Sequence, residues 1–166
     1  MTATPDVPVL TPLRLFSAPP LTGTLPVDPR FVPDGRAIAF LRVADDDRER
    51  MDLWRYEFAT GTSRLWVSGA RLLAASEAPS GAATDAEKAE RERRRQFSRG
   101  ITRYQFCSSG ARLLLPVDGA AYVLELADGL LRRVTPPGTR QTDIRFAPGG
   151  EHLSYVRDGN LYLLEL

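Results

Sequence analysis

A turn signature that recurs with strand-like sequence after it is what most limits the folds open to this chain. Phe31-Val32-Pro33-Asp34-Gly35 and Phe146-Ala147-Pro148-Gly149-Gly150 match directly, and Phe106-Cys107-Ser108-Ser109-Gly110 follows the same plan with Ser in place of Pro. Pro presets φ at an early turn position, Asp, Ser or Gly follows easily, and the final Gly accepts a positive φ that a side chain would resist. Apolar residues come three positions after each of these glycines (Ile38, Leu113, Leu153) and again two positions later (Phe40, Leu115, Tyr155). That alternation predicts a strand with one face buried.

A second aligned stretch follows in each unit: Leu53 to Phe58, Ala121 to Leu126 and Leu161 to Leu166. Its aromatic and branched residues again favour a strand. In the first two units the turns Thr60-Gly61 and Asp128-Gly129 lead into further short strands, Ser63 to Val67 and Leu131 to Thr135. Each complete unit thus carries about four strands, the content of one propeller blade. Gly110 and Gly150 stand 40 residues apart, within the roughly 40 to 50 residues of a blade repeat. Gly35 and Gly110 stand 75 apart, so extra chain lies between them.

The expected fold is all-β, a partial β-propeller of about two and a half four-stranded blades with one inserted charged helix. Residues 1–30 form a lead-in, 31–68 a blade, 69–103 an inserted linker and helical arm, 104–135 a second blade and 136–166 a third that stops after its third strand. A closed ring needs about four to eight blades. The expectation is therefore of a propeller fragment whose last strand leaves an apolar edge.

Within the insertion, Thr84-Asp85-Ala86-Glu87 has the form of a capping box, which predicts a helix from Asp85 to Phe97. Glu87 with Arg91 and Glu90 with Arg94 fall four residues apart with the acid first, and Arg93-Arg94-Arg95 complements the helix dipole at its end. The apolar stripe of Ala86, Ala89 and Phe97 is too thin to bury in a core, so the helix should be an arm on the surface or over a cavity. A solvated face and a ligand-gripping face both fit it. A nucleic-acid patch fits poorly, because glutamates interleave the arginines and the chain carries only 22 Lys+Arg against 21 Asp+Glu.

The remaining chemistry is sparse. One Cys107 and one His152 supply neither an internal disulfide nor a zinc cage, and no cofactor or metal is expected. His152 sits at an outward strand position, and no Gly-x-Ser-x-Gly elbow accompanies Ser68. Asp45-Asp46-Asp47, beside Arg48 and Arg50, reads as a solvated hairpin tip. With no basic, apolar leader segment and no run of about 18 apolar residues, a cytoplasmic chain free of membrane and nucleic acid is expected.

The order of these motifs resembles a known family. Leu13-Arg14-Leu15-Phe16, Phe31 to Gly35, Asp45 to Arg50 leading into Met51-Asp52-Leu53-Trp54, Arg91-Glu92-Arg93-Arg94-Arg95, Gly100-Ile101-Thr102-Arg103-Tyr104 and Phe146-Ala147-Pro148 together resemble the N-terminal propeller region of dipeptidyl peptidase IV-like enzymes, in the prolyl oligopeptidase family of serine peptidases. The resemblance runs from about Thr11 to Leu166. It implies a propeller that caps an α/β-hydrolase domain, gates access to it and helps bind a peptide from which Xaa-Pro or Xaa-Ala dipeptides are released. It further implies that an arginine of the arm, Arg95 first, then Arg93 or Arg91, binds a substrate backbone carbonyl. The family's glutamate pair and its Ser, Asp and His triad would lie beyond Leu166. The chain would then be inactive alone, with the remaining blades and the hydrolase domain as partners, in a parent for which a homodimer is one option. A non-catalytic propeller that binds protein or peptide is the alternative.

Overall fold

The computed structural model describes residues 11–13, 25–76 and 98–166. Three antiparallel sheets follow one another along the chain. The first holds β1 (Val27–Phe31), β2 (Ala37–Val43), β3 (Arg50–Glu57) and β4 (Thr62–Val67) in sequence order. A short helix, α1 (Gly69–Ala75), follows β4, and the two-residue β5 (Arg99–Gly100) joins β3 in parallel. The second sheet holds β6 (Gln105–Phe106), β7 (Arg112–Val117), β8 (Ala120–Glu125) and β9 (Leu131–Arg133), and the third β10 (Thr142–Phe146), β11 (His152–Arg157) and β12 (Asn160–Glu165). Successive sheets of meandering strands that pack face to face without closing make this a partial β-propeller.

The repeated turns do what their composition predicts. In each, the glycine N–H returns to the carbonyl of the residue three before it: Gly35 to Val32, Gly110 to Cys107 and Gly150 to Ala147, at 2.8–3.0 Å. All three glycines have φ near +70°, a conformation costly for a residue with a Cβ. Two of them also need the missing side chain for packing. A Cβ on Gly110 would come within 2.7 Å of Pro33 Cβ, and one on Gly150 within 2.8 Å of Cys107 Cβ. Each turn therefore nests on the turn of the preceding sheet, and Ser108 adds a hydroxyl bond to the Pro148 carbonyl across the second junction.

Side-chain parity divides the core into two. Ala37, Ala39, Leu41, Met51 and Leu53 on the first sheet meet Leu113, Leu115, Val117, Tyr122 and Leu124 on the second. The opposite face of the second sheet, Leu114, Ala121 and Val123, meets Ile144, Phe146, Leu153 and Tyr155 on the third. The expected one-sided burial holds for the third sheet through Leu153 and Tyr155. On the first sheet the core face is Ala37, Ala39 and Leu41 rather than the expected Ile38 and Phe40, although Phe40 is itself only 9% exposed. The middle sheet is apolar on both faces because it lies between neighbours. Its strands accordingly run apolar without alternation, as Leu113-Leu114-Leu115 and Ala120 to Leu124.

The observed elements shift the expected boundaries in places. The first sheet begins at Val27, inside the lead-in, and α1 fills the start of the insertion where strand patterning stops. The charged helix expected over Asp85 to Phe97 lies outside the described residues. Cys107 is buried as a free thiol. Burial raises its proton affinity, but the Ser109 hydroxyl and nearby backbone N–H groups more than offset this and leave its pKa below the usual thiol value.

Two-sided burial has a direct consequence for stability. Leu113→Ala and Leu114→Ala, facing different cores from adjacent positions with no exposed surface, should each cost about 2–5 kcal/mol in urea unfolding. Leu163→Ala, at 70% exposure, should change stability by no more than about 0.5 kcal/mol.

Candidate functional site

The insertion leaves and re-enters the fold at one place, the start of β3, and that root is the most elaborate polar structure among the described residues. On the outgoing side, the Asp52 carboxylate, only 5% exposed, accepts the Gly69 N–H at 2.7 Å and fixes the first residue of α1. A Cβ at Gly69 would overlap the Met51 carbonyl and approach Gly100 Cα at 3.3 Å, so only glycine fits. Leu72 of α1 enters the core between the first two sheets, and the Tyr122 hydroxyl donates to its carbonyl at 3.2 Å. Ser76 closes the helix with its N–H and hydroxyl both on the Leu73 carbonyl, at 3.2 and 2.8 Å.

On the returning side, Arg99 N–H donates to the Glu49 carbonyl at 2.7 Å and Ile101 N–H to the Met51 carbonyl at 3.0 Å. Gly100 between them has φ +79°, and a Cβ there would stand 2.6 Å from the same Met51 carbonyl. The Arg99 guanidinium pairs with Asp47 at 2.7 Å. Arg50, on the adjacent strand, pairs with Asp46 and approaches Asp47 at 3.7 Å and Asp52 at 3.6 Å. The hydrogen bond from Arg99 holds the Asp47 carboxyl below the usual carboxylate range, and the bond from Arg50 does the same for Asp46. The acidic run is thus more than a solvated tip: Asp47 ties the hairpin to a residue 52 positions away.

The same device recurs at the next junction. Arg140 pairs with Asp118 in the β7–β8 turn, and Gln141 N–H donates to the Gly119 carbonyl at 2.8 Å. In both places an arginine on the incoming connection meets an aspartate of the preceding hairpin. At the root of the insertion the device has been enlarged with α1 and Asp52, so that Gly69 is fixed on the outgoing side as Arg99 is on the returning side.

Of the residues the sequence singles out, Arg91, Arg93 and Arg95 lie outside the described residues. His152 is half-buried on β11 opposite Glu165. Sequence reading missed Asp52, Gly69, Gly100 and the Arg99–Asp47 pair. A second signal was available in Asp28-Pro29-Arg30-Phe31 and Asp143-Ile144-Arg145-Phe146. In both, the aspartate adopts φ near +50° and accepts from the arginine Nε two residues on, at 3.0 and 2.8 Å. These pairs coincide with register shifts in β1 and β10 and set exposed charges along the first strands of the two outer sheets. The Tyr104 hydroxyl, just before β6, reaches back to the first sheet, lying 2.6 Å from the Asp28 carbonyl and 2.8 Å from the Ala39 carbonyl.

Other features are modest. An open groove of about 280 Å³ between the first two sheets, lined by Val32, Asp34, Arg55, Gly110 and Leu126, lies at the nested turns. Its arginine is held by Glu57 at 2.7 Å. Among the described residues no cluster of three or more His, Cys, Asp or Glu could hold a metal ion, and no helix is long and apolar enough to cross a membrane.

No family model matches the chain. Solved structures similar to it include dipeptidyl peptidase 4 of Porphyromonas gingivalis, at 20% identity and a TM-score of 0.45, with 84% of this chain and 18% of that one covered. TolB of Acinetobacter baumannii is similar at 18% identity and a TM-score of 0.46, with 83% and 29% covered. Oligogalacturonate lyase of Vibrio parahaemolyticus is similar at 10% identity and a TM-score of 0.47, with 87% and 36% covered. The chain thus spans roughly a fifth to a third of the structures it matches.

The root gives two checks. Asp52→Ala orphans the buried Gly69 N–H and should cost about 1–3 kcal/mol, read as a lower denaturant midpoint with faster hydrogen exchange at Gly69. For Asp47, a folded pKa below the unfolded one means that its contribution to stability is complete above about pH 4. That contribution disappears as the pH falls through the folded value. Asp47→Asn should therefore lower Tm at neutral pH, and the gap from wild type should close on acidification. A gap that does not change with pH would show that the Arg99 pair contributes nothing.

Proposed function

We propose that this chain is the N-terminal propeller region of a serine aminodipeptidase that releases Xaa-Pro or Xaa-Ala dipeptides from peptide N-termini. The propeller gates access to a hydrolase domain and helps to bind the substrate. The observation that carries this reading is the rooted insertion. A segment bearing Arg91, Arg93 and Arg95 leaves and re-enters at a base fixed by Asp52, Gly69 and Gly100. A group that binds a ligand must be held by a rigid support, and a solvated surface loop has no need of one.

The proposed chemistry is peptide positioning. A guanidinium presents a planar fork of donors that suits a backbone carbonyl, and it stays charged at any working pH. Arg95 is the first choice for this contact, ahead of Arg93 and Arg91. Nucleophile, acid and base belong to a partner domain, so the chain alone performs binding without bond cleavage. A cytoplasmic setting without membrane or nucleic-acid contact goes with this role.

The alternative, a non-catalytic propeller that binds protein or peptide, draws on the exposed charges of Arg30 and Arg145 along the first strands of their sheets. One experiment separates the two. In the polypeptide that joins this chain to a hydrolase domain, Arg95→Ala should lower kcat/KM for a Xaa-Pro chromogenic substrate, by at least about tenfold if the contact is worth 1.4 kcal/mol. Residues 1–166 alone should release no product. Unchanged kinetics in Arg95→Ala, Arg93→Ala and Arg91→Ala, with peptide binding lost on Arg30→Ala or Arg145→Ala, would establish the platform instead.

A further inference from the structure

The repeat allows the two junctions between sheets to be compared residue by residue, and they differ at one place. In the second junction Arg112 pairs with Glu125 at 3.0 Å, and its Nη1 donates to the Gly150 carbonyl of the next turn at 3.2 Å. Leu114 and Val123, the next cross-strand pair on the same face, are fully buried. At the matching positions of the first junction stand Ala37 with Glu57 and Ala39 with Arg55. Two long side chains of β7 are thus alanines on β2, and a cation stands where Val123 would be. The Gly110 carbonyl, counterpart of the Gly150 carbonyl, receives no such bond among the described residues. Gly110 and Arg55 both line the open groove of about 280 Å³.

The polar groups of this groove are only partly used. The Arg55 side chain is 17% exposed, with Nε 2.7 Å from Glu57 and Nη2 3.6 Å from Asp34. The first contact is an ion pair too poorly aligned to be a hydrogen bond, since Nε is buried without a hydrogen-bond partner. The second is too long to be one. Trp66 lies 5.1 Å from the guanidinium and restrains it through its ring face. Glu57 is also paired with Arg64 at 3.0 Å, so Asp34, Glu57, Arg55 and Arg64 together carry no net charge. Neither a simple anion nor a simple cation is favoured there. Val32 and Leu126 supply the apolar part of the lining.

We propose that the groove binds a peptide segment, with one apolar side chain set against Val32 and Leu126 and the flanking amides on the polar groups. A peptide carbonyl accepts from the Arg55 guanidinium. A peptide N–H donates to the Gly110 carbonyl, in the place that the Arg112 side chain fills at the second junction. An amide is the neutral group that brings both a donor and an acceptor, which is what a site without net charge requires. The volume lies just below the roughly 300–1,000 Å³ of small-molecule sites, so it suits a single side chain better than a folded partner. Both walls belong to sheets of this chain. The site is separate from Arg91, Arg93 and Arg95, and it does not depend on the peptidase reading.

Titration of the whole chain with N-acetyl-Ala-Leu-Ala methylamide, followed by amide nuclear magnetic resonance, tests it. The peptide is carried to about 10 mM, enough to detect a millimolar Kd. The backbone amides of Gly110, Ala111 and Ala127 should shift and saturate. Arg55→Met keeps the length and loses the donors, and it should weaken binding at least about tenfold, as expected for a lost bond to a charged group. Ala127→Phe, at an exposed position of the lining, should fill the groove with the guanidinium intact and weaken binding to the same degree. If Arg55→Met loses its dispersed spectrum, Ala127→Phe decides alone. Sodium acetate and methylguanidinium chloride should leave the three amides unmoved. The absence of a saturable shift in the wild-type chain, or undiminished binding in either folded variant, would overturn the proposal. Equal shifts with either ion would overturn it in favour of a simple ion site.

Discussion

The structure depends on the middle sheet having two apolar faces. A sheet with one apolar face can close a two-layer sandwich and stop, whereas a sheet apolar on both must be covered twice. Leu113 and Leu114 are adjacent in sequence, point in opposite directions, and are both fully buried. From that single fact follow the two separate cores and the place of the second sheet between the first and the third. The second sheet needs no polar side on β7 or β8, and in their central positions it has none.

Stacking sheets face to face leaves their relative placement loosely determined, since apolar contact has little directional preference. Two devices supply the direction. At one end the nested turns fix how closely neighbours approach, because Gly110 and Gly150 leave no room for a side chain between adjacent turns. At the other end, arginines on the incoming connections grip aspartates of the preceding hairpin, Arg99 on Asp47 and Arg140 on Asp118. The first is steric and independent of pH. The second is electrostatic and only partly buried, and ion pairs open to solvent contribute little, so the glycines and the apolar faces carry most of the stability.

What was legible in the sequence was local. The Phe-x-Pro-Asp-Gly turns, the strands that follow them and the four-strand unit could be read because each depends on residues within a few positions of one another. Two-sided burial was also written in the unbroken run Leu113-Leu114-Leu115, although alternation at Ile38 and Phe40 suggested one buried face throughout. The run Gly69-Ala70-Arg71-Leu72-Leu73-Ala74-Ala75 is strongly helix-forming after its glycine, but it is short and has no side-chain cap to announce it. Asp52 could not be read at all. Its role is to accept one N–H from a residue 17 positions on, and nothing in a pattern such as Met51-Asp52-Leu53 separates that task from an ordinary outward position of a strand. The Arg99–Asp47 pair was hidden for the same reason, with the whole insertion standing between its members.

β3 is where the core and the root of the insertion meet, because its alternate residues do different work. Met51 and Leu53 belong to the core between the first two sheets, the core that Leu72 of α1 also enters. A strand presents alternate residues to opposite faces, and Asp52 between them is therefore free to accept the Gly69 N–H, while Trp54, two positions on, lies under the Arg42 guanidinium. The backbone of the same strand holds the returning side, since the Met51 carbonyl accepts the Ile101 N–H at 3.0 Å. One strand thus packs the sheet with one parity, anchors α1 with the other and receives the end of the insertion with its main chain, so that the base of the insertion forms only when the first sheet does.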